Sequence, residues 1–325
     1  MDLSVVIIAR NEEATIGRTL EVLGRELAGL TREIILVDSA STDRTIEIAS
    51  ERPVRIVHLQ PGPLLSPAAG RYIGTLVSTG EFILFLDGDM ILIPGWIERA
   101  LKELEDTRLA AIVGRLYWVR PGEDLSLDHP DDVQFGPIGG NAPSYGLYRR
   151  TVLDRSGTFN PYIKGEEEIE LGFRIMQEGF ELRRIDVPMV YHIDKPRDAG
   201  AIQRKAQYFA GTGQILRRYA GTELWRRLIR NSFHVFAQQA ALCAPLVGAL
   251  IAVVAGAYTL AGIILLTSAA GVTALALWKG PTKVFLYIRS MVLISRYMVL
   301  GFLQGLPDGR GFEERIRYTI TEPTH

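Results

Sequence analysis

The sequence predicts an α/β protein: a doubly wound, mainly parallel sheet followed by a transmembrane helical hairpin and an amphipathic helix at the membrane interface. Three observations carry this expectation. Continuous apolar runs alternate with helical patterns through the first two hundred residues, the arrangement of a parallel sheet covered on both faces. Residues 231–278 contain no Asp, Glu, Lys or Arg. Beyond them, Lys283, Arg289 and Arg296 interrupt an apolar helical stretch at spacings that keep them near one side, as in a helix lying in the interface, with a third span over 282–306 as the alternative.

The strands are expected at Leu3–Ile8, Glu33–Val37, Val54–Leu59, Phe82–Leu86 and Ala110–Leu116, all short apolar runs. Between the first two, Glu12–Leu27 places Ile16, Leu20, Leu23 and Leu27 at helical spacing, and Ser41–Asp43 offers an N-cap for the next helix. Ligands of such sheets bind at the carboxyl ends of strands. Arg10-Asn11-Glu12, Asp38-Ser39 and Asp87-Gly88-Asp89 all fall there.

Residues 231–278 are long enough for two spans of about 20 residues with a turn near Gly256–Gly262. Arg217, Arg218, Arg226, Arg227 and Arg230 precede them, and Lys279, Lys283, Arg289 and Arg296 follow. The positive-inside rule therefore puts both flanks in the cytoplasm, at an inner or plasma membrane. The expected divisions are a soluble domain over 1–200, a basic juxtamembrane segment over 201–230, the hairpin over 231–278, the interface helix over 279–306 and a polar tail over 307–325 with no assigned role.

Composition narrows the partners. Lys plus Arg total 36 against 37 for Asp plus Glu, a net charge of -1, which argues against a general nucleic-acid binder. The single cysteine, Cys243, allows no intramolecular disulfide and no Cys-based zinc cage. "MDLSVVIIAR" lacks the basic start of a signal peptide. Neither GxGxxG nor GxxxxGK[ST] occurs, which leaves a dinucleotide dehydrogenase or a P-loop enzyme poorly supported.

"FLDGDM" ends an apolar run in two acids one residue apart. Two like charges about 4 Å apart repel by roughly 1 kcal/mol in water and about 4 kcal/mol at a protein surface, and an approaching diphosphate worsens this. A divalent cation reverses the sign. Hard carboxylate oxygens suit Mg²⁺ or Mn²⁺, and Gly88 lets the backbone approach a ligand.

"SVVIIARNEEATIGRTLEVL", "ILVDSASTDRT", "AAGRYIGTLVSTGEFILFLDGDM" and "GEEEIELGFRIMQEGF" stand in an order and spacing that resemble family 2 glycosyltransferases of the GT-A fold, over about residues 3–195. The resemblance implies inverting, metal-dependent transfer from a nucleotide-diphosphate sugar. Ala9, Arg10 and Glu12 would line the base pocket, Asp38 would contact base or ribose, and Arg71 would approach nucleotide or diphosphate. Asp87 and Asp89 match the family's DxD, with Asp89 the closer ligand of Mg²⁺ or Mn²⁺. Glu167 and Glu168 fall on its acidic pair, with Glu168 as base; the family more often has Asp there, so Glu167 or Glu166 stay open. Gly139, Gly140 and Asn141 match a glycine-rich loop, His192 a place near metal or diphosphate, and Arg204 is available to phosphate.

A soluble donor needs no anchor, so the hairpin points to an acceptor in the membrane, such as polyprenyl phosphate or a lipid-linked glycan. Two spans are too few for a translocation channel unless several copies assemble, which leaves a homo-oligomer open. The alternatives are a transferase extending a non-lipid glycan, or a non-catalytic membrane subunit.

Overall fold

A computed structural model describes residues 2–125, 136–138, 142–194, 200–231 and 233–323. The chain divides into two units, one of residues 1–197 with 307–325 and one of residues 198–306.

The first unit opens with β1 (Asp2–Ala9), α1 (Ile16–Glu26), β2 (Thr31–Asp38), α2 (Thr45–Ser50), β3 (Arg55–Leu59), α3 (Pro67–Val77) and β4 (Phe82–Asp87). It continues through β5 (Met90–Leu92), α4 (Trp96–Glu103), β6 (Leu109–Val119), β7 (Gly136–Pro137), β8 (Gly146–Arg149), α5 (Arg150–Ser156), α6 (Glu167–Gln177) and β9 (Glu181–Ile193). All five expected strands are present. β3, β2, β1 and β4 run parallel in that order. Beyond β4 the sheet is mixed: β8 is antiparallel to both β4 and β6, while β6 and β9 are parallel with β-bulges.

Apolar runs become central strands here because helices cover both faces. Val5, Val6 and Ile7 of β1 are all fully buried. On one side α1 lays down Ile16, Leu20 and Leu23. On the other, α3 packs backbone against sheet at Gly74, where a Cβ would come 2.2 Å from a Val6 methyl. The start of α3 is capped by Ser66, whose Oγ accepts from Ala69 N at 3.1 Å, with Pro67 in the first turn.

Residues 307–323, to which the sequence assigned no role, complete this unit. β10 (Tyr318–Thr321) pairs antiparallel with β3 at the sheet edge. Phe312 is fully buried, edge-on to Tyr72 at 5.6 Å and Tyr162 at 5.1 Å. Tyr72 donates to Glu313 at 2.8 Å, Arg315 to the Tyr162 hydroxyl at 3.0 Å and Asn160 to the Pro307 carbonyl at 3.0 Å. The tail thus ties α3 to the segment leading into α6. Phe312→Ala is expected to lower stability by about 3 kcal/mol, the low end for truncating a buried Phe because a surface segment can partly collapse. A thermal melt of the full chain checks this.

The second unit is helical: α7 (Ala201–Arg218), α8 (Glu223–Asn231), α9 (Phe233–Val254), α10 (Tyr258–Lys279) and α11 (Pro281–Gln304). By length and composition α10 and α11 are apolar enough to cross a membrane, and so is α9 if its two halves, bent at 40°, form one span. Pro245 lies inside α9 and removes one helical hydrogen bond. α9 packs on α10 through Ala249, Ala252 and Ala261, and the turn between them falls at Ala255–Ala257, overlapping the start of the expected Gly256–Gly262.

Candidate active site

The parallel register brings the first three acidic positions together. Ala9 stands beside Asp38, and Ile8 beside Asp87, so β2, β1 and β4 end level with one another. The loops after β1 and β2 are laced by hydrogen bonds: Asn11 N to Ser41 Oγ at 2.9 Å, Glu12 N to Thr45 Oγ1 at 2.7 Å, and Thr42 N to Asn11 Oδ1 at 2.8 Å. Asn11 and Ala40 both sit at φ 58°. Asn tolerates this left-handed region; for Ala it is strained, and strain of this kind collects at ligand sites.

Asp38 is fully buried. Its Oδ2 accepts from Ser41 N at 3.0 Å and lies 2.8 Å from His58 Nδ1, whereas Oδ1 is buried with no hydrogen-bond partner among the described residues. A buried acceptor left over in this way is costly unless a ligand donor meets it. Ala9 is buried, Arg10 is exposed, and Glu12 is buried beneath the Asp87-Gly88-Asp89 turn. A Cβ at Gly88 would come 2.8 Å from Glu12 Cγ and 3.0 Å from Ala9 Cβ. The Gly88 carbonyl accepts from Thr15 at 3.0 Å, pinning the turn to the start of α1.

Around that turn the charges are organised by Arg71. Its guanidinium is buried and donates to Asp87 Oδ1 at 2.8 Å and to Glu167 Oε1 at 2.9 Å. It also lies 5.4 Å over the Phe159 ring. Burial opposes its charge, but Asp87, Glu167 and Glu168 together hold its pKa above the ordinary value. Asp87 shifts upward: burial dominates, Arg71 counters it and the neighbouring Asp89 charge adds to it. Asp89 Oδ1 is 3.2 Å from His192 Nε2. Trp118 stacks on that imidazole at 4.3 Å and remains half exposed.

α6 supplies the acids. Glu166 precedes it at φ 59°, a strained left-handed conformation that turns the chain sharply into the helix. Glu167 is committed to Arg71, and Glu170 to Arg174 at 2.7 Å. Glu168 is pushed up to about 7, first by burial and then by the adjacent Glu167 charge. The Ala142 N–H donates to the Glu168 carbonyl at 2.9 Å, fixing the end of the preceding loop.

The structure therefore gathers Asp87, Glu167, Glu168 and Arg71 in one charged cluster, with Asp89 and His192 beside the same turn. Gly139, Gly140 and Asn141 lie outside the described residues. Arg204 lies in the other unit, exposed in the first turn of α7. Reading the sequence missed His58 and Trp118. His58 had a usable signal, as a polar residue inside the apolar run Val54–Leu59; its register opposite Asp38 makes it a partner. Trp118 had none.

Residues 4–164 match the family described as glycosyl transferase family 2. The pre-mycofactocin glycosyltransferase of Mycobacterium tuberculosis is 25% identical over 224 residues, 64% of this chain; the chain spans 46% of that relative's length. Among solved structures, the mannosyltransferase PcManGT from Pyrobaculum calidifontis, in complex with GDP-Man and Mn²⁺, superposes with a TM-score of 0.56 at 19% identity, covering 93% of this chain and 86% of that one. S. aureus TarS 1-349 in complex with UDP gives 0.54 at 17% identity, covering 72% of each chain. At these identities the structures establish the shared GT-A fold.

Proposed function

From the premise that this chain is a family 2 glycosyltransferase, we propose that it transfers one sugar, with inversion, from a UDP- or GDP-linked donor to a membrane lipid acceptor such as polyprenyl phosphate or a lipid-linked glycan. The observation that carries this reading is the Arg71 bridge, which holds Glu167 of the acidic helix against Asp87 of the Asp87-Gly88-Asp89 turn. It fixes the distance between the donor end of the site and the base.

The acceptor hydroxyl oxygen attacks the anomeric carbon on the face opposite the diphosphate. Its proton passes to the Glu168 carboxylate, and the bond from the anomeric carbon to the diphosphate oxygen breaks with its electron pair leaving on the diphosphate. Glu168 suits the task because Glu167 is already held by Arg71 and because a carboxyl titrating near 7 accepts a proton readily at neutral pH. Asp38, steadied by His58, offers its buried Oδ1 to an N–H of the base or a ribose hydroxyl.

The donor set fits a divalent cation. Asp89 and His192 would hold it, with Asp87 alongside, and their mixture of carboxylate oxygen and imidazole nitrogen suits Mn²⁺ better than Mg²⁺. No group of three His, Cys, Asp or Glu side chains stands at metal-binding geometry among the described residues, so the remaining positions would fall to donor phosphate and water. When bound, the cation neutralises charge on the leaving diphosphate.

Apolar helices in the second unit support membrane association, and the basic flanks support a cytoplasmic catalytic unit. A thermal-shift screen in detergent tests the donor: UDP, GDP, CDP and their sugars, each with and without Mn²⁺. Stabilisation by one nucleotide class, near 2.7 kcal/mol at a hundredfold excess over Kd and dependent on metal, is the expected result. Equal shifts with and without Mn²⁺ would overturn the metal assignment, and no shift with any nucleotide from a folded sample would overturn the transferase reading.

A further inference from the structure

We infer that the chain crosses the bilayer twice, through α9 and α10, and that α11 instead lies along the membrane surface against α7, with its outer face docked on anionic lipid. This rests on the membrane association proposed above. It keeps the hairpin and interface helix expected from the sequence, whereas length and hydropathy alone single out α10 and α11 as the spans.

Parity comes first. β10 follows α11 in the chain and pairs with β3, so residues before and after the helical unit belong to one sheet. A sheet cannot be shared across a bilayer, because its strands would have to pair through hydrocarbon as an open edge. Residues 198–306 therefore cross an even number of times. Three spans are excluded, and α10 must be joined by either α9 or α11.

The packing of α7 on α11 decides between them. A Cβ at Gly213 would lie 2.0 Å from the Met298 carbonyl oxygen, and one at Gly301 would lie 1.9 Å from that of Ala210, so the two backbones touch. Side chains of α7 also serve the open carbonyls at the end of α11. Gln214 donates to Gly305 at 3.2 Å, Arg217 to Phe302 at 3.1 Å and Leu303 at 2.6 Å, and Arg218 to Leu306 at 3.0 Å. Further along, Ala206 packs with Met291, Ile294 and Met298. The part of α11 from Met291 onward is thus bound to a helix carrying exposed Arg204 and Lys205. Sinking this pair would take those charges into hydrocarbon at roughly 2.5–3.5 kcal/mol each. Residues 281–290, which precede this contact, would reach only about 15 Å of a core about 30 Å thick.

α9 joins the same cluster through Val235 and Phe236 in its first turn, but brings no charge to it. Residues 231–254 hold no Asp, Glu, Lys or Arg, and its contact with α10 is made of small residues, which let membrane helices approach closely.

The outer face of α11 names its partner. Phe285, Val292 and Val299 are exposed at seven-residue spacing, and Arg289 and Arg296, also exposed, each stand four residues beyond one of them. With Lys283 the helix carries three positive charges and no acid. An apolar stripe bordered by arginine is the pattern of a helix seated at the headgroup level of an anionic leaflet.

Cysteine labelling of the full chain tests this without donor or acceptor, so it stands apart from the transferase assay. In a Cys243→Ser background, single cysteines replace the exposed residues Glu51, Ala255 and Lys279, and a membrane-impermeant maleimide is applied to spheroplasts before and after permeabilisation. Ala255→Cys is expected to label from the side opposite Glu51→Cys, and Lys279→Cys from the same side. Lys279→Cys on the opposite side, or all three on one side, would overturn the two spans assigned. For the docked face, Val292→Cys in nanodiscs should label more slowly when phosphatidylglycerol is added to phosphatidylcholine. Arg289→Gln with Arg296→Gln should remove up to about 30-fold of that protection, equivalent to roughly 1 kcal/mol per arginine. Labelling insensitive to phosphatidylglycerol would overturn anionic docking.

Discussion

Glu168→Gln is expected to slow sugar transfer by about 10²–10⁴-fold, the span over which a general base contributes, with donor affinity retained. The substitution keeps the shape of the side chain and removes only its ability to take a proton. Because burial and the Glu167 charge push the Glu168 carboxyl up to about 7, the wild-type rate should rise with pH through an acid limb near that value, and the limb should vanish in the variant. Stability moves the other way. A carboxyl whose folded pKa is raised favours the folded state while protonated, and that contribution is lost as pH rises from the ordinary value of 4.5 through about 7. The variant should therefore melt above the wild type at pH 8 and close to it at pH 4. Initial rates of nucleoside diphosphate release across pH, paired with melts, measure both. An unchanged acid limb in Glu168→Gln would move the base to another residue.

The parallel half of the sheet was legible because its signal is local. β1, β2, β3 and β4 are apolar runs buried by helices on both faces, and each expected run lies within or overlaps the strand formed. β10 was not, since Tyr318–Thr321 is four residues long and becomes a strand only by meeting β3, far away in sequence. The acids at the strand ends were visible as motifs. Their organisation was not: Arg71 and Glu167 stand 96 positions apart, and His58 joins Asp38 only through the register of two parallel strands. α11 shows the limit of hydropathy. By length and mean hydropathy it passes for a span, while its arginines, its contact with α7 and the return of β10 to the sheet speak against that role.

Arg71→Ala is expected to cost about 3–5 kcal/mol of stability, the range for breaking a buried ion pair from one side, and to abolish transfer. In the folded protein one guanidinium serves Asp87 at 2.8 Å and Glu167 at 2.9 Å while only 3% exposed. Without it, two carboxylates and the neighbouring Glu168 share a partly buried space with no guanidinium to bridge them, so protons must be taken up or the helix must move away. The loss should accordingly be largest above neutral pH, where the acids are charged, and should shrink as acid protonates them. Arg71→Lys is not a conservative rescue. A lysine ammonium is a single point charge without the planar fork that reaches two carboxylates in different directions, so it should recover part of the stability and little of the rate. Melts at pH 5 and pH 8 for both variants, with transfer rates, separate the two roles. If Arg71→Lys restored full activity, the bridge would be only a source of charge and the fixed spacing of Glu167 from Asp87 would not matter to the reaction.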